Sequence, residues 1–153
     1  MALRIAKIKH RPAGWEIHME ERRGKEEKDT IFRCSDTAHT DLDLSFDALV
    51  GLAREILQLP AEWKPNSMTI CGVSFSFSEE TQVEGAVLTG LVDLDTSNAP
   101  FCFNTPHLAF EQYSETGEAP LMPQRGIELL AKVRMEAELY MSGKKRAQLQ
   151  LAI

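Results

Sequence analysis

The segment Asp93–His107 contains the residues best suited to binding chemistry. It reads DLDTSNAPFCFNTPH and mixes amide, hydroxyl, imidazole and aromatic side chains directly after an apolar, strand-like stretch. Loops that only reverse the chain are usually short and polar, whereas long loops held by a scaffold often carry function. We therefore predict that this loop binds a ligand. The candidate ligand-binding residues are Ser97, Asn98, Phe101, Phe103, Asn104, Thr105 and His107.

The same loop also has a purely structural interpretation. Its Ser-Asn-Ala-Pro and Asn-Thr-Pro motifs are common turn formers, and the Phe-Cys-Phe between them could be a short strand whose two rings enter the core. Catalysis by His107 is not expected, because the sequence identifies no nucleophile and no orienting group near it.

Two basic clusters could contact phosphate groups. Lys144, Lys145 and Arg146 follow a helix-like segment, where cations would also complement the helix dipole. Arg22 and Arg23 are followed by acidic residues that cancel much of their field. The formal net charge of −6 counts against general nucleic-acid binding, although it does not exclude a local basic groove.

Motifs for enzymes, metals and cofactors are absent from the sequence. There is no G-x-S-x-G, P-loop, H-E-x-x-H or G-x-G-x-x-G motif, and the three cysteines have no C-x-x-C spacing. Asp36, Thr37 and His39 could ligate a cation, but ordinary turn chemistry explains this cluster equally well. We therefore predict a non-enzymatic protein with no metal and no cofactor.

The elements that must position these residues can be predicted from periodicity. Strands are expected over 3–10 and 14–22, over Thr30–Cys34 after a charged turn at Glu21–Asp29, over Met68–Phe77, over Val83–Leu94 and over 149–153. A first helix is expected to begin at Ser45 as its N-cap, and a second to run from Pro123 to Gly143.

The predicted fold is a single α+β domain over residues 1–153. Its mainly antiparallel sheet follows the order β-β-β-α-β-β-loop-α-β and is backed by two helices. No segment approaches the ~18 apolar residues of a membrane span, and the N-terminus has no signal-peptide core. The expected location is therefore the cytoplasm.

Four blocks of the sequence resemble a family of small proteins encoded by bacteriophages and prophages. The blocks are ICGVSFSF, GAVLTGLVDL, SNAPFCFNTPH and EAELYMSGKKRAQ, and the resemblance covers residues 67–150. That family has no assigned activity, so the resemblance implies a phage context and a bacterial host cytoplasm but transfers no catalytic residues.

Two functional hypotheses follow from the residues and the resemblance together. The first is a phage-encoded binding protein, expected to be a homo-oligomer, that counters host defence by sequestering a nucleotide-like signal or by blocking a host protein. The second is a single-stranded nucleic-acid-binding accessory of phage replication or recombination. In it, the basic clusters would contact phosphates and Phe101 or Phe103 would stack on bases.

Overall fold

A computed structural model describes residues 2–23, 25–34, 40–60, 62 and 67–143. Its strands are β1 (Ala2–Arg11), β2 (Gly14–Arg23), β3 (Glu26–Cys34), β4 (Met68–Ser78), β5 (Val83–Val92), β6 (Phe101–Asn104) and β7 (Leu108–Ala109). Its helices are α1 (Thr40–Asp47), α2 (Leu49–Ile56) and α3 (Gln124–Met141). The predicted α+β class is confirmed, with α1 and α2 forming the first of two helical segments. No helix among the described residues is long and apolar enough to span a membrane.

The strands form one antiparallel sheet in the order β3-β2-β1-β4-β5-β6, and β7 also pairs with β5. After β3 the chain passes through α1 and α2 and returns to place β4 beside β1. Strand β5 is therefore internal, with β4 on one side and both β6 and β7 on the other. This position agrees with the central strand predicted there, although β5 ends at Val92 rather than Leu94.

The helices cover one face of the sheet because that face is apolar. The Trp15 ring of β2 stacks on Phe46 of α1 at 4.9 Å and meets the edge of Tyr140 of α3 at 6.5 Å. Ile8 and Leu88 are among the fully buried side chains of this core. Each such side chain contributes about 1.5–3 kcal/mol relative to exposure. We call this the helix-covered face and the opposite one, with Lys7, Lys9 and Ser74, the second face.

The charged turn predicted over Glu21–Asp29 is wrong. Strand β2 continues to Arg23 and β3 already begins at Glu26, so most of the charged residues lie within strands. The register places Glu21 opposite Lys28, and two further pairs of opposite charge follow toward the hairpin end. Opposite charges directly across an antiparallel pair, as at Glu21 and Lys28, favour the pairing, whereas Glu20 and Asp29 place like charges opposite each other one step earlier.

Ser45 is not a helix N-cap. Helix α1 begins at Thr40, and the buried Ser45 hydroxyl donates to the Leu42 carbonyl oxygen at 2.7 Å. Leu42 extends the apolar periodicity one turn toward the N-terminus, and Asp41 and Asp43 in the first turn favour the positive end of the helix dipole. Because this segment is polar, the start of the helix was not predicted from the sequence.

Helix α3 agrees closely with its prediction. Pro123 is the N-cap residue rather than the first helical residue, and Gly143, with a φ of 108°, follows the helix end. The predicted strand over 149–153, the cluster Lys144-Lys145-Arg146 and the cluster around His39 lie outside the described residues.

Candidate functional site

The Asp93–His107 segment does not form one continuous loop. It begins as an exposed turn in which the Ser97 hydroxyl accepts a hydrogen bond from the Ala99 amide at 3.1 Å, and Asn98 is exposed beside it. It then becomes β6, which pairs with β5 over four residues. The structural interpretation of Phe-Cys-Phe as a short strand is therefore confirmed, although only one of its two rings packs on the core.

The two phenylalanines of β6 have different environments. Phe103 is half-buried on the helix-covered face, over Gly90, where an added Cβ would collide with the ring at 2.4 Å from Cζ. Gly90 thus provides the space in which Phe103 packs. Phe101, at the start of the strand, is 57% exposed. Neighbouring residues in a strand point to opposite faces, so Phe103 and Asn104 cannot serve the same ligand.

Thr105 is buried and completes the sheet. Its hydroxyl oxygen accepts a hydrogen bond from the Leu88 amide at 2.9 Å, and its own amide donates to the Leu88 carbonyl oxygen at 2.9 Å. This side chain therefore satisfies the backbone of β5 where β6 ends. Its hydroxyl faces the strand rather than an open ligand surface.

Asn104 lies beside a groove on the second face. Its Oδ1 accepts a hydrogen bond from the Thr89 hydroxyl at 2.7 Å. The groove encloses about 360 Å³, and we call it the cationic groove. Residues that line it include Lys7, Lys9, Arg11, Cys71, Ser74, Thr89 and Asn104.

The cationic groove owes its charge to alternation along β1. Lys7 and Lys9 point to the second face, and each is half-buried. Neither forms an ion pair with a residue that the structure describes, whereas Arg11 pairs with Glu16 at 3.3 Å. In the order of the strands, Ser74 of β4 and Thr89 of β5 lie between the lysines of β1 and Asn104 of β6, and both carry a hydroxyl group. The groove thus combines two available cations with neutral hydrogen-bonding groups.

Cys71 lies at the side of this groove but is not suited to nucleophilic chemistry. Burial raises the pKa of its thiol, and the Sγ hydrogen is directed to the Thr89 carbonyl oxygen at 3.6 Å. A raised pKa keeps the thiol protonated, and the thiolate is the reactive form.

A cluster around Glu16 is next to the cationic groove. Its carboxylate contacts Arg11 at 3.3 Å, His18 at 3.1 Å and Arg33 at 3.4 Å. Burial raises the pKa of Glu16, but Arg11, the hydrogen bond to His18 and Arg33 together hold that pKa below its ordinary value. Arg11 is therefore ion-paired with Glu16, and Lys7 and Lys9 are the cations of the groove that can contact an incoming ligand.

His107 lies in a second groove, together with a serine from a distant part of the chain. The Ser76 hydroxyl and His107 Nε2 are 2.6 Å apart. The ring lies against Gly85, where an added Cβ would be 2.4 Å from Nε2. This groove encloses about 490 Å³, and we call it the serine–histidine groove. Its lining includes Ser76, Phe77, Val83, Glu84, His107 and Tyr113.

The structure separates residues that the sequence grouped. Asn104 faces the cationic groove, His107 faces the serine–histidine groove, and Ser97 and Asn98 lie in the turn before β6. Sequence reasoning missed Lys7, Lys9 and Ser76. The lysines could have been predicted from the sequence, since Lys7, Lys9 and Arg11 recur at the two-residue period of a strand and therefore share one face. No sequence pattern indicated Ser76, because its partner His107 is 31 residues away in the chain.

Comparisons with protein-family models, with curated proteins and with solved structures gave no match. The resemblance to phage-encoded proteins therefore stays a prediction. Within the part of the chain that the structure describes, no three His, Cys, Asp or Glu side chains converge as they would around a metal ion.

Proposed function

We propose that this protein binds a small phosphorylated, nucleotide-like ligand in the cationic groove. One observation carries the proposal: Lys7 and Lys9 stand side by side on β1 without an ion-pair partner among the described residues, in a concave site of an otherwise acidic protein. Unpaired ammonium groups of this kind favour phosphate, to which they donate charge-assisted hydrogen bonds. The biological role proposed with it is sequestration of a host-defence signal by a phage-encoded protein.

The other side of the groove supports a ligand larger than phosphate alone. Ser74, Thr89 and Asn104 offer hydroxyl and amide groups of the kind that contact a sugar or the polar edge of a base. The enclosed volume of about 360 Å³ lies within the ~300–1,000 Å³ typical of small-molecule sites. Phosphate would contact the lysines of β1 and the nucleoside would extend over β4 and β5.

Single-stranded nucleic acid is the alternative ligand, and the row of cations at every second residue of β1 favours it. The phenylalanines that this hypothesis needs for base stacking do not lie beside these cations. Phe103 packs over Gly90 on the helix-covered face, and Phe101 lies at the exposed start of β6. Because bases bind such proteins largely by stacking on aromatic rings, a cationic groove on the opposite face supports a small ligand better.

Isothermal titration calorimetry with ATP, a cyclic dinucleotide, pyrophosphate and a dT oligonucleotide tests the proposal. We expect a nucleotide to bind with at least tenfold loss of affinity in Lys7→Ala/Lys9→Ala, since each charge-assisted hydrogen bond contributes about 1.5–3 kcal/mol. Lys25→Ala/Lys28→Ala removes the same charge from exposed positions near the β2–β3 hairpin and is the matched control.

Three outcomes of the titrations are decisive. Binding of nucleotides that the Lys7/Lys9 variant loses and the control keeps supports the proposal. Binding of the oligonucleotide alone, with an affinity that falls steeply as salt rises, supports the alternative. No binding of any probe at low salt rejects both.

The proposed role in the host has its own experiment. A phage that carries the gene should plate efficiently on bacteria with a nucleotide-signalling defence, and the Lys7→Ala/Lys9→Ala allele should plate poorly. Equal plating of both alleles would contradict sequestration through this groove. The proposed homo-oligomer is tested by light scattering on the purified full chain, in which a monomer mass would contradict it.

A further inference from the structure

The serine–histidine groove is built differently from the cationic groove. Ser76 and His107 are both exposed, so their 2.6 Å hydrogen bond is not needed to satisfy buried polar groups. The ring is nevertheless held in place, because it occupies the space that the missing side chain of Gly85 leaves open. An exposed hydroxyl fixed at hydrogen-bond distance from an imidazole has the geometry of a nucleophile and its base.

We propose that Ser76 is a nucleophile for acyl transfer and that His107 is its general base. The hydroxyl is a weak nucleophile alone, and an imidazole within hydrogen-bond reach activates it by accepting its proton. Nε2 can accept this proton when the neutral ring carries its own proton on Nδ1. This activity is separate from nucleotide binding and uses a different groove.

The proposed reaction is the hydrolysis of an ester, and water is the only other reagent that it consumes. Ser76 Oγ forms a bond to the carbonyl carbon of an ester as its proton passes to His107 Nε2. The bond from that carbon to the alcohol oxygen then breaks, and Nε2 gives the proton to the leaving oxygen. Water, deprotonated by the same nitrogen, hydrolyses the acyl-Ser76 bond and restores the hydroxyl.

The walls of the groove indicate the class of substrate. Tyr113 is 56% exposed, and Val83 begins β5 opposite Ser78, on the same face of the sheet as Ser76. Glu80 borders the groove with negative charge, which disfavours phosphate and carboxylate substrates, whereas the charge of Glu84 is paired with Arg134 at 3.4 Å. An ester with an apolar or aromatic acyl group and no negative charge fits this site.

Labelling with a fluorophosphonate probe tests the proposal directly. The probe forms an Oγ–P bond with an activated serine and releases fluoride, so intact-protein mass and peptide mapping identify the residue. We expect one adduct, at Ser76, in the intact protein. Ser76→Ala should abolish it, and His107→Gln should slow it about 100-fold, because glutamine can replace the hydrogen bond but cannot act as a base.

Ser142→Ala is the control, since Ser142 is an exposed serine outside both grooves whose hydroxyl donates to the Glu138 carbonyl oxygen at 2.9 Å and not to a histidine. It should label at the wild-type rate. Circular dichroism and thermal melts establish that each variant is folded.

An unlabelled wild-type protein, an adduct on another residue, or equal rates in wild type and His107→Gln would each overturn the proposal. Nucleotide binding is measured on the same Ser76→Ala protein. Since Ser76 does not line the cationic groove, that binding should be unchanged, and the failure of one proposal is therefore distinguishable from the failure of the other.

Discussion

Thr105 illustrates how one side chain can hold a sheet together where a strand ends. Its hydroxyl is the acceptor for the Leu88 amide, and no strand residue takes that place beyond Asn104. Thr105→Val keeps the size and removes the acceptor. We expect it to destabilise the fold by about 1–3 kcal/mol, the cost of a buried amide left without a partner. Urea unfolding measures this loss.

Hydrogen exchange at the Leu88 amide distinguishes this cause from a packing defect. Thr105→Ser keeps the hydroxyl and loses one methyl group, so the amide should stay protected while stability falls by about 0.8 kcal/mol. In Thr105→Val the amide should exchange faster. Unchanged protection in the valine variant would show that another group accepts the Leu88 hydrogen bond.

At the scale of elements, Arg134 attaches α3 to the centre of the sheet. Its guanidinium carbon lies 4.2 Å from the centre of the Phe75 ring, and Nη1 is 3.4 Å from a Glu84 carboxylate oxygen. Arg134→Ala should cost about 1–2 kcal/mol, mostly from the cation–π contact, because the ion pair is partly solvated.

Two further substitutions separate the contributions of Arg134. Lys replaces the planar group with a compact charge that stacks poorly, so Arg134→Lys should lie between wild type and Arg134→Ala in free energy of unfolding. Arg125→Ala, at an exposed position of the same helix, should change stability by less than about 0.5 kcal/mol. A lysine variant as stable as wild type would show that charge alone is sufficient.

The elements were more predictable than the site. Regular alternation in β1 and β2 and clear apolar periodicity in α3 identified those elements, because each has one face that must be buried. The start of α1 was missed because Asp41 and Asp43 look like loop residues and only Leu42 reveals the helix. The two grooves depend on strand order: Lys7 meets Ser74, and His107 meets Ser76, only after β4 pairs with β1 and β7 with β5.

At the scale of the whole molecule, the charge is distributed unevenly. The formal net charge is −6, yet Lys7 and Lys9 lie on the second face, where Glu16 and Glu20 of β2 are both paired with basic side chains. The cluster around Glu16 joins three strands, since Arg11 belongs to β1, Glu16 to β2 and Arg33 to β3. It therefore links the stability of this part of the sheet to the ionisation of one carboxylate.

The stability of the molecule should depend on pH through Glu16. Its pKa in the folded protein lies below the ordinary value of 4.5, so the unfolded state takes up a proton first as the pH falls. The stabilisation is therefore fully present above pH 4.5 and is lost as the pH falls through the folded-state pKa.

Glu16→Gln should be less stable than wild type at neutral pH, and the difference should shrink in acid. Urea unfolding across this range measures it, with Glu128→Gln, at an exposed position of α3, as the control. A constant difference at every pH would contradict a role for the ionised carboxylate, because the loss would then come from shape or packing alone.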